Sequence, residues 1–207
     1  KRCGDIVQGD KTGDKPLSEI VKSYLKEKYS KPGNVFLGVV HRLDRPTSGI
    51  VLFAKTSKSL SRLNKMFKEG VIEKYYLAIV KNKPTKSEST LTHWLWKNEK
   101  TNKSIHFIKE TKNSKKAILH YKVTKQLEKY YLLEIKLDTG RHHQIRCQLK
   151  AIGCPIRGDL KYGYERSNRD GGIDLHAKKI IFNHPVSKIS LEIDAPVKND
   201  NLWIATK

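Results

Sequence analysis

The sequence of 207 residues contains only three cysteines, Cys3, Cys147 and Cys154. An odd number without a CxxC pair supports neither a disulfide scaffold nor a zinc site, and a reducing, cytoplasmic location is expected. Long apolar runs are missing as well. None approaches the ~20 residues that span a bilayer, and no helix sets a Trp or Phe face against a Lys face. Neither a membrane span nor a membrane-surface helix is expected. The chain opens Lys1-Arg2-Cys3-Gly4, with no hydrophobic leader and no initiator Met, so it is expected to begin inside its gene product. It also lacks GxxxxGK[ST], GxGxxG after a strand, HExxH and GxSxG, the signatures of phosphate cradles, dinucleotide sites, zinc proteases and serine hydrolases. His142 and His143 are adjacent and would diverge on a helix, where a metal pair favours i, i+4 spacing. Neither metal nor cofactor is expected.

Negative charge is scarce too. Asp and Glu number 21 against 42 Lys and Arg, a formal net charge of +21. With 37% hydrophobic and 30% charged residues the chain is globular, so this surplus lies on a folded surface and points to a polyanionic partner. Nucleic acid leads and an anionic membrane is second. The length suits one domain with a substantial core.

Hydrophobic periodicity places a helix at Pro16–Tyr29 and a second at Ser57–Glu69, with Ser57 as N-cap and Gly70 as stop. A third is placed at Arg141–Ala151, with Asp138 or Thr139 capping it and Ile145, Leu149 and Ile152 on its apolar face. Strands are expected at Val35–Val40, Ile50–Ala54, Glu73–Val80, Ala117–Thr124, Tyr130–Leu137, Leu175–Phe182 and Ile189–Ile193. Many strands and few helices in mixed order predict an α+β fold on a largely antiparallel sheet.

Two stretches carry chemistry. HRLDRPTSGIVLFAK, from His41 to Lys55, sets one carboxylate, Asp44, between Arg42 and Arg45 in a loop between two expected strands. A rigid frame can present a reactive group from such a loop; Asp44 is either a surface ion pair or a carboxylate kept ionised for use. LDTGRHHQIRCQL, from Leu137 to Leu149, places Arg141 and Arg146 near the start of a helix. They would offer an anion site at its positive end, or a solvated polar face.

Together these stretches resemble the RluA-type RNA pseudouridine synthases. HRLDRPTSG matches the family signature. Glu73-Lys74-Tyr75-Tyr76-Leu77-Ala78, Thr139-Gly140-Arg141-His142-His143-Gln144-Ile145-Arg146, Gly153-Cys154-Pro155-Ile156-Arg157-Gly158-Asp159 with Tyr162-Gly163, and Leu175-His176-Ala177 with His184-Pro185 follow in the family's order. The resemblance implies a pseudouridine synthase fold and conversion of uridine to pseudouridine in rRNA or tRNA, without metal or cofactor. It implies Asp44 as nucleophile, Tyr76 as the tyrosine stacking on the target base, and Arg146 as the partner of the catalytic carboxylate. Arg42 would enter the RNA stack when the base is flipped, and Arg141, His143 and Gln144 would contact RNA. Lys65, Lys68, Lys115 and Lys116 are candidates for the phosphate-contacting rim. Tyr75 is expected in the core, because strand alternation sends it away from Tyr76. The family often has Val-His where Cys147-Gln148 stand, and His where Cys154 stands; these departures are expected to bear on RNA contacts. A single catalytic domain over residues 1–207 is expected, without a separate N-terminal RNA-binding domain, acting as a monomer on an RNA stem-loop. The alternative is an RNA-binding or RNA-folding protein whose catalysis is incidental or lost.

Overall fold

In the computed structural model, which describes residues 1–10 and 12–206, one large sheet carries the fold. Its strands are β4 (Glu73–Val80), β5 (Glu88–Asn98), β6 (Lys103–Phe107), β7 (Lys115–Gln126), β8 (Tyr131–Leu137), β9 (Leu175–Asn183) and β10 (Ser190–Asp194). They run in the order β10-β9-β4-β8-β7-β5-β6, antiparallel at every step. An eighth strand, the two-residue β2 (Ser48–Gly49), adds in parallel to β9. The α+β architecture and its antiparallel bias are those predicted.

Alternation along the strands buries one face under helix α3 (Gln144–Ala151). Ala78, Val80, Leu119, Leu133, Ile135 and Leu137 meet Ile145 and Leu149 there in the main core. Helix α2 (Ser57–Glu69) closes a second cluster with Leu63 against Ile72, Ile180 and Phe182. On the opposite face, the C-terminal segment with helix α4 (Asn201–Ile204) inserts Trp203, fully buried, against Ile79 and Leu132.

Helix α2 and strand β4 have the predicted bounds. The cap of α2 is Thr56 rather than Ser57: its Oγ1 accepts the Ser59 amide, and Ser59 answers in a reciprocal box. Gly70 ends the helix at φ 73°. Helix α1 is slightly shorter than expected, Leu17–Lys28, with Pro16 in extended backbone before it. Of its apolar side chains Leu25 is buried, while Ile20 and Tyr24 are exposed.

Three expectations are corrected. The strands at Val35–Val40 and Ile50–Ala54 shrink to the antiparallel pair β1 (Gly38–Val39) and β3 (Phe53–Ala54). The backbone between them turns to side chains and to β9 instead: His41 Nε2 accepts the Leu52 amide at 3.0 Å. Helix α3 starts at Gln144, not Arg141, because His143 sits at φ 50° in the left-handed region and cannot continue a helix backward. Neither Asp138 nor Thr139 caps it; the Gln144 side chain closes the turn, its Oε1 accepting from Arg141 N at 2.9 Å and from Thr139 Oγ1 at 2.8 Å. The hairpin β5–β6 has no counterpart among the expected strands, because Trp94, Trp96, His93 and the threonines give it no simple alternation.

Candidate active site

Asp44 stands at the head of a tight turn in which the Thr47 amide donates to the Asp44 carbonyl at 3.0 Å. The turn is fastened to the sheet immediately afterwards. Ser48 and Gly49 pair with His176 and Ala177 of β9, and Ser48 Oγ meets His176 Nδ1 at 2.9 Å. Gly49 has φ 116°, and a Cβ there would run into the Ala177 backbone; only glycine fits this crossing. The first residue adds to the fastening, with Lys1 Nζ donating to the Arg45 and Thr47 carbonyls. Arg45 does not face Asp44. Its Nη2 pairs with Asp14 at 2.6 Å, both side chains half exposed.

From the other side, α3 brings Arg146. Its guanidinium joins two carboxylates: Nη1 donates to Asp44 Oδ2 at 3.0 Å, while Nε and Nη2 grip Asp159 in a fork of 2.7 and 2.8 Å. Asp159 is 1% exposed and Arg146 4%. Burial works against the charged guanidinium, but the hydrogen bonds and charge of Asp159, with the charge of Asp44, outweigh it and raise its pKa above the ordinary arginine value. The motif that contains Asp159 gives this residue no role in sequence. A fork-shaped donor fixed on both sides is the arrangement in which Arg cannot be exchanged for Lys.

His143 completes the ring around the Asp44 carboxylate. It is buried, with Nε2 3.6 Å from Asp44 Oδ2 and Nδ1 2.9 Å from the Tyr162 hydroxyl. Burial first, then the nearby Arg146 charge, depress its pKa to about 2, so the ring is neutral. Arg146 and His143 thus approach the same oxygen, Oδ2; among the described residues none hydrogen-bonds Oδ1.

A cavity of about 110 Å³ opens beside Asp44, lined by Arg42, Thr47, Tyr76, Leu137, Arg141 and Leu175 among others. Tyr76 reaches it from mid-strand, where the β4–β9 register shifts between Tyr75 and Tyr76. An irregularity of this kind re-aims a side chain. Burial, and secondarily Asp44, raise the Tyr76 pKa, so its hydroxyl keeps its proton. Tyr75 does lie on the opposite face, but not in the core: its hydroxyl donates to Glu73 at 2.7 Å beside Lys136. Thr47 Oγ1 is buried without a hydrogen-bond partner in the cavity wall.

The expected RNA contacts divide. Arg42 and Arg141 are exposed at the cavity rim, and Arg141 is oriented by donating Nε to the Lys116 carbonyl at 2.9 Å. Gln144 and His143 are buried at 3% and 8% exposure with their polar atoms engaged inside, so they build the wall rather than the rim. A second cavity of about 270 Å³ shares Gly140 and Arg141 with the first and is lined by Lys97, Lys115 and His142. Lys116 lies over the Trp94 ring at 5.9 Å, on the other face of the sheet. Lys65 and Lys68 are exposed on α2. Cys147, Gln148 and Cys154 are buried: Gln148 Nε2 donates to the Leu91 and Ala117 carbonyls and Cys147 packs with Leu95 and Tyr162. These departures from the family pattern therefore serve packing, not RNA contact.

An antiparallel sheet that carries a loop-borne Asp against a helix-borne Arg and a strand-borne Tyr defines a class. The sequence matches the family described as RNA pseudouridylate synthase over residues 1–151, and the chain belongs to that family. Among its relatives, a "Ribosomal large subunit pseudouridine synthase C" of Rickettsia bellii is 36% identical over 173 residues, 82% of this chain and 57% of that protein. An "Uncharacterized RNA pseudouridine synthase YlyB" of Bacillus subtilis is 32% identical over 163 residues, 79% of this chain and 53% of that protein. The chain thus spans a little over half the length of these curated relatives. In fold it is similar to the solved human RNA Pseudouridylate Synthase Domain Containing 4, with a TM-score of 0.80 at 20% identity over 99% of this chain and 85% of that one.

Proposed function

We propose that this chain catalyses the isomerisation of a uridine in RNA to pseudouridine, with Asp44 as nucleophile and ribosomal RNA as substrate. The observation that carries the reading is the asymmetry at Asp44. Its Oδ2 is held by Arg146 while Oδ1 is unengaged beside a cavity walled by Tyr76. A carboxylate tethered through one oxygen can attack through the other and so divide a hard bond exchange into two steps. The base leaves the sugar as the carbon–nitrogen bond breaks, turns, and reattaches through ring carbon five, which gives up its proton to solvent while the freed ring nitrogen takes one up. Attack at the anomeric carbon, attack on the ring and formation of a glycal are all compatible with this geometry.

The cavity is well short of the ~300 Å³ of a typical small-molecule pocket, which suits a single flipped base whose sugar and phosphate stay at the mouth. Tyr76 stacks on that base, a contact worth about 1–3 kcal/mol, and offsets part of the few kcal/mol that flipping costs. Arg42, exposed at the rim, enters the stack the base has left. The second cavity, with Lys97, Lys115 and Arg141, receives a neighbouring nucleotide's phosphate. Ribosomal RNA is favoured by the names of the relatives. Among the described residues no helix is long and apolar enough to cross a membrane, and the three cysteines are free thiols; the reading takes the protein to act in the cytoplasm, as a monomer, on an RNA stem-loop.

The test is release of tritium from ribosomal RNA labelled at uracil carbon five, with Asp44→Ala beside the unaltered protein. Release by the unaltered protein alone is expected; equal release by both removes Asp44 from the chemistry.

A further inference from the structure

We infer that His143 is a second anchor of the nucleophile, a positioning residue whose Nε2–H holds Asp44 Oδ2 and whose tautomer is set by Tyr162. The proposal rests on the reading of Asp44 above and goes beyond it, since the resemblance placed His143 among RNA contacts.

The tautomer of His143 follows from a count of protons. Ser104 donates its backbone N–H to the Tyr162 hydroxyl at 2.7 Å, and that same hydroxyl lies 2.9 Å from His143 Nδ1. Tyr162 is 3% exposed and burial raises its pKa to about 12, so its single proton is present and needs an acceptor. Its other polar neighbour is the Ser104 side chain, whose Oγ is already engaged with the His142 carbonyl at 2.5 Å and His142 Nδ1 at 3.0 Å. The proton therefore goes to Nδ1, which must be a bare lone pair. A neutral imidazole carries its proton on the other nitrogen, Nε2, and that is the atom 3.6 Å from Asp44 Oδ2. The reverse tautomer would leave the buried Tyr162 proton only the already engaged Ser104 hydroxyl and turn a lone pair toward a carboxylate. Two unfavourable contacts against two favourable ones decide the matter.

The ring itself has little freedom to turn. It stacks on His142 at 3.8 Å between centroids and meets Tyr162 edge-on at 5.6 Å. Its backbone is fixed in the left-handed region at the head of α3. The Nε2 distance is just beyond hydrogen-bond length, as catalytic contacts commonly are before substrate enters, and a small closing motion makes it. Arg146 supplies charge to Oδ2; His143 supplies a second, uncharged donor from a different direction, so the carboxylate is fixed in rotation as well as position. Oδ1 is then the only oxygen left to react.

The direct test is nitrogen-15 spectroscopy of the histidine rings in the free protein, which needs no activity. His143 is expected as the Nε2–H tautomer, with Tyr162→Phe relaxing it toward a mixture; an Nδ1–H tautomer in the unaltered protein overturns the proposal. Single-turnover rates add the functional reading. His143→Leu should slow the reaction by about tenfold or more, the usual scale for losing an orienting partner, with RNA affinity unchanged. His143→Gln, which keeps an N–H, should recover most of that rate. Tyr162→Phe should slow the native background but not the His143→Gln background, where no tautomer remains to be set. An equal loss in both backgrounds would make Tyr162 a packing residue and refute the relay. Activity of the unaltered protein with an indifferent His143→Leu sinks this inference alone, whereas an inactive unaltered protein sinks the functional reading and leaves the spectroscopic test standing.

Discussion

Asp159→Asn is the most informative single perturbation of this site. The side chain is 1% exposed and touches no solvent, so it cannot meet RNA. It accepts from Arg146 Nε and Nη2 at 2.7 and 2.8 Å. An amide of nearly the same shape retains one acceptor but turns an NH₂ group toward an N–H of the guanidinium. It also removes the charge that offsets burial of Arg146. Breaking a buried ion pair from one side costs about 3–5 kcal/mol. Because Asp44 still partners the guanidinium through Nη1, the lower end applies, about 3 kcal/mol. For a domain of this size that is a fall in melting temperature of about 6–12 °C. The freed guanidinium can swing, and Asp44 loses its orientation with it. Thermal unfolding and single-turnover kinetics measured on the same preparation are the assays. A lowered melting temperature, a slower chemical step and unchanged RNA affinity are expected. A variant that melts with the unaltered protein and turns over at its rate would refute the claim that Arg146 is aligned through Asp159.

Three further outcomes follow from the same geometry. Gly49→Ala should cost at least ~2 kcal/mol, from a positive φ and the collision with Ala177, and should abolish turnover; an unchanged melting temperature would count against the crossing described here. Acid should destabilise the protein, since buried His143 and His176 titrate at about 2 and about 4 when folded against about 6.5 unfolded. Below pH 6.5 the unfolded chain binds the extra protons, so each histidine removes roughly 1.4 kcal/mol per pH unit as the pH falls toward the folded value; urea midpoints that hold steady from pH 7 to 5 would contradict this. Lys115→Gln should lower the salt slope of RNA binding by about 0.7–0.9, the share of one phosphate contact, while Lys116→Gln, on the other face, should leave it unchanged.

Much of this was legible in the sequence, for identifiable reasons. Helix α2 announces itself by its periodicity and its glycine stop, and β4 by an unbroken β-prone run. Asp44, Tyr76 and Arg146 lie in motifs whose order matched the family, and the fold brings them to one cavity. Asp159 escaped because a buried acid and a surface acid are the same letter; only packing shows that it takes two of the three hydrogen bonds Arg146 gives these carboxylates. His143 and Gln144 were read as rim residues for the same reason. The left-handed turn that shortens α3 has no histidine signature. Arg45 had no role in sequence because its partner, Asp14, lies in a separate stretch and the pair forms only at the surface.

The two-residue strand that holds the Asp44 loop also sets when a site can exist. Ser48 finds its partner, His176, 128 residues further along the chain. A ribosome synthesising this protein releases Asp44 well before the strand that fixes it. Until then the loop has no frame, and Arg146, Asp159 and Tyr162 have nothing to close upon. The growing chain therefore carries Asp44 without its frame until β9 has left the ribosome and can pair with Ser48 and Gly49.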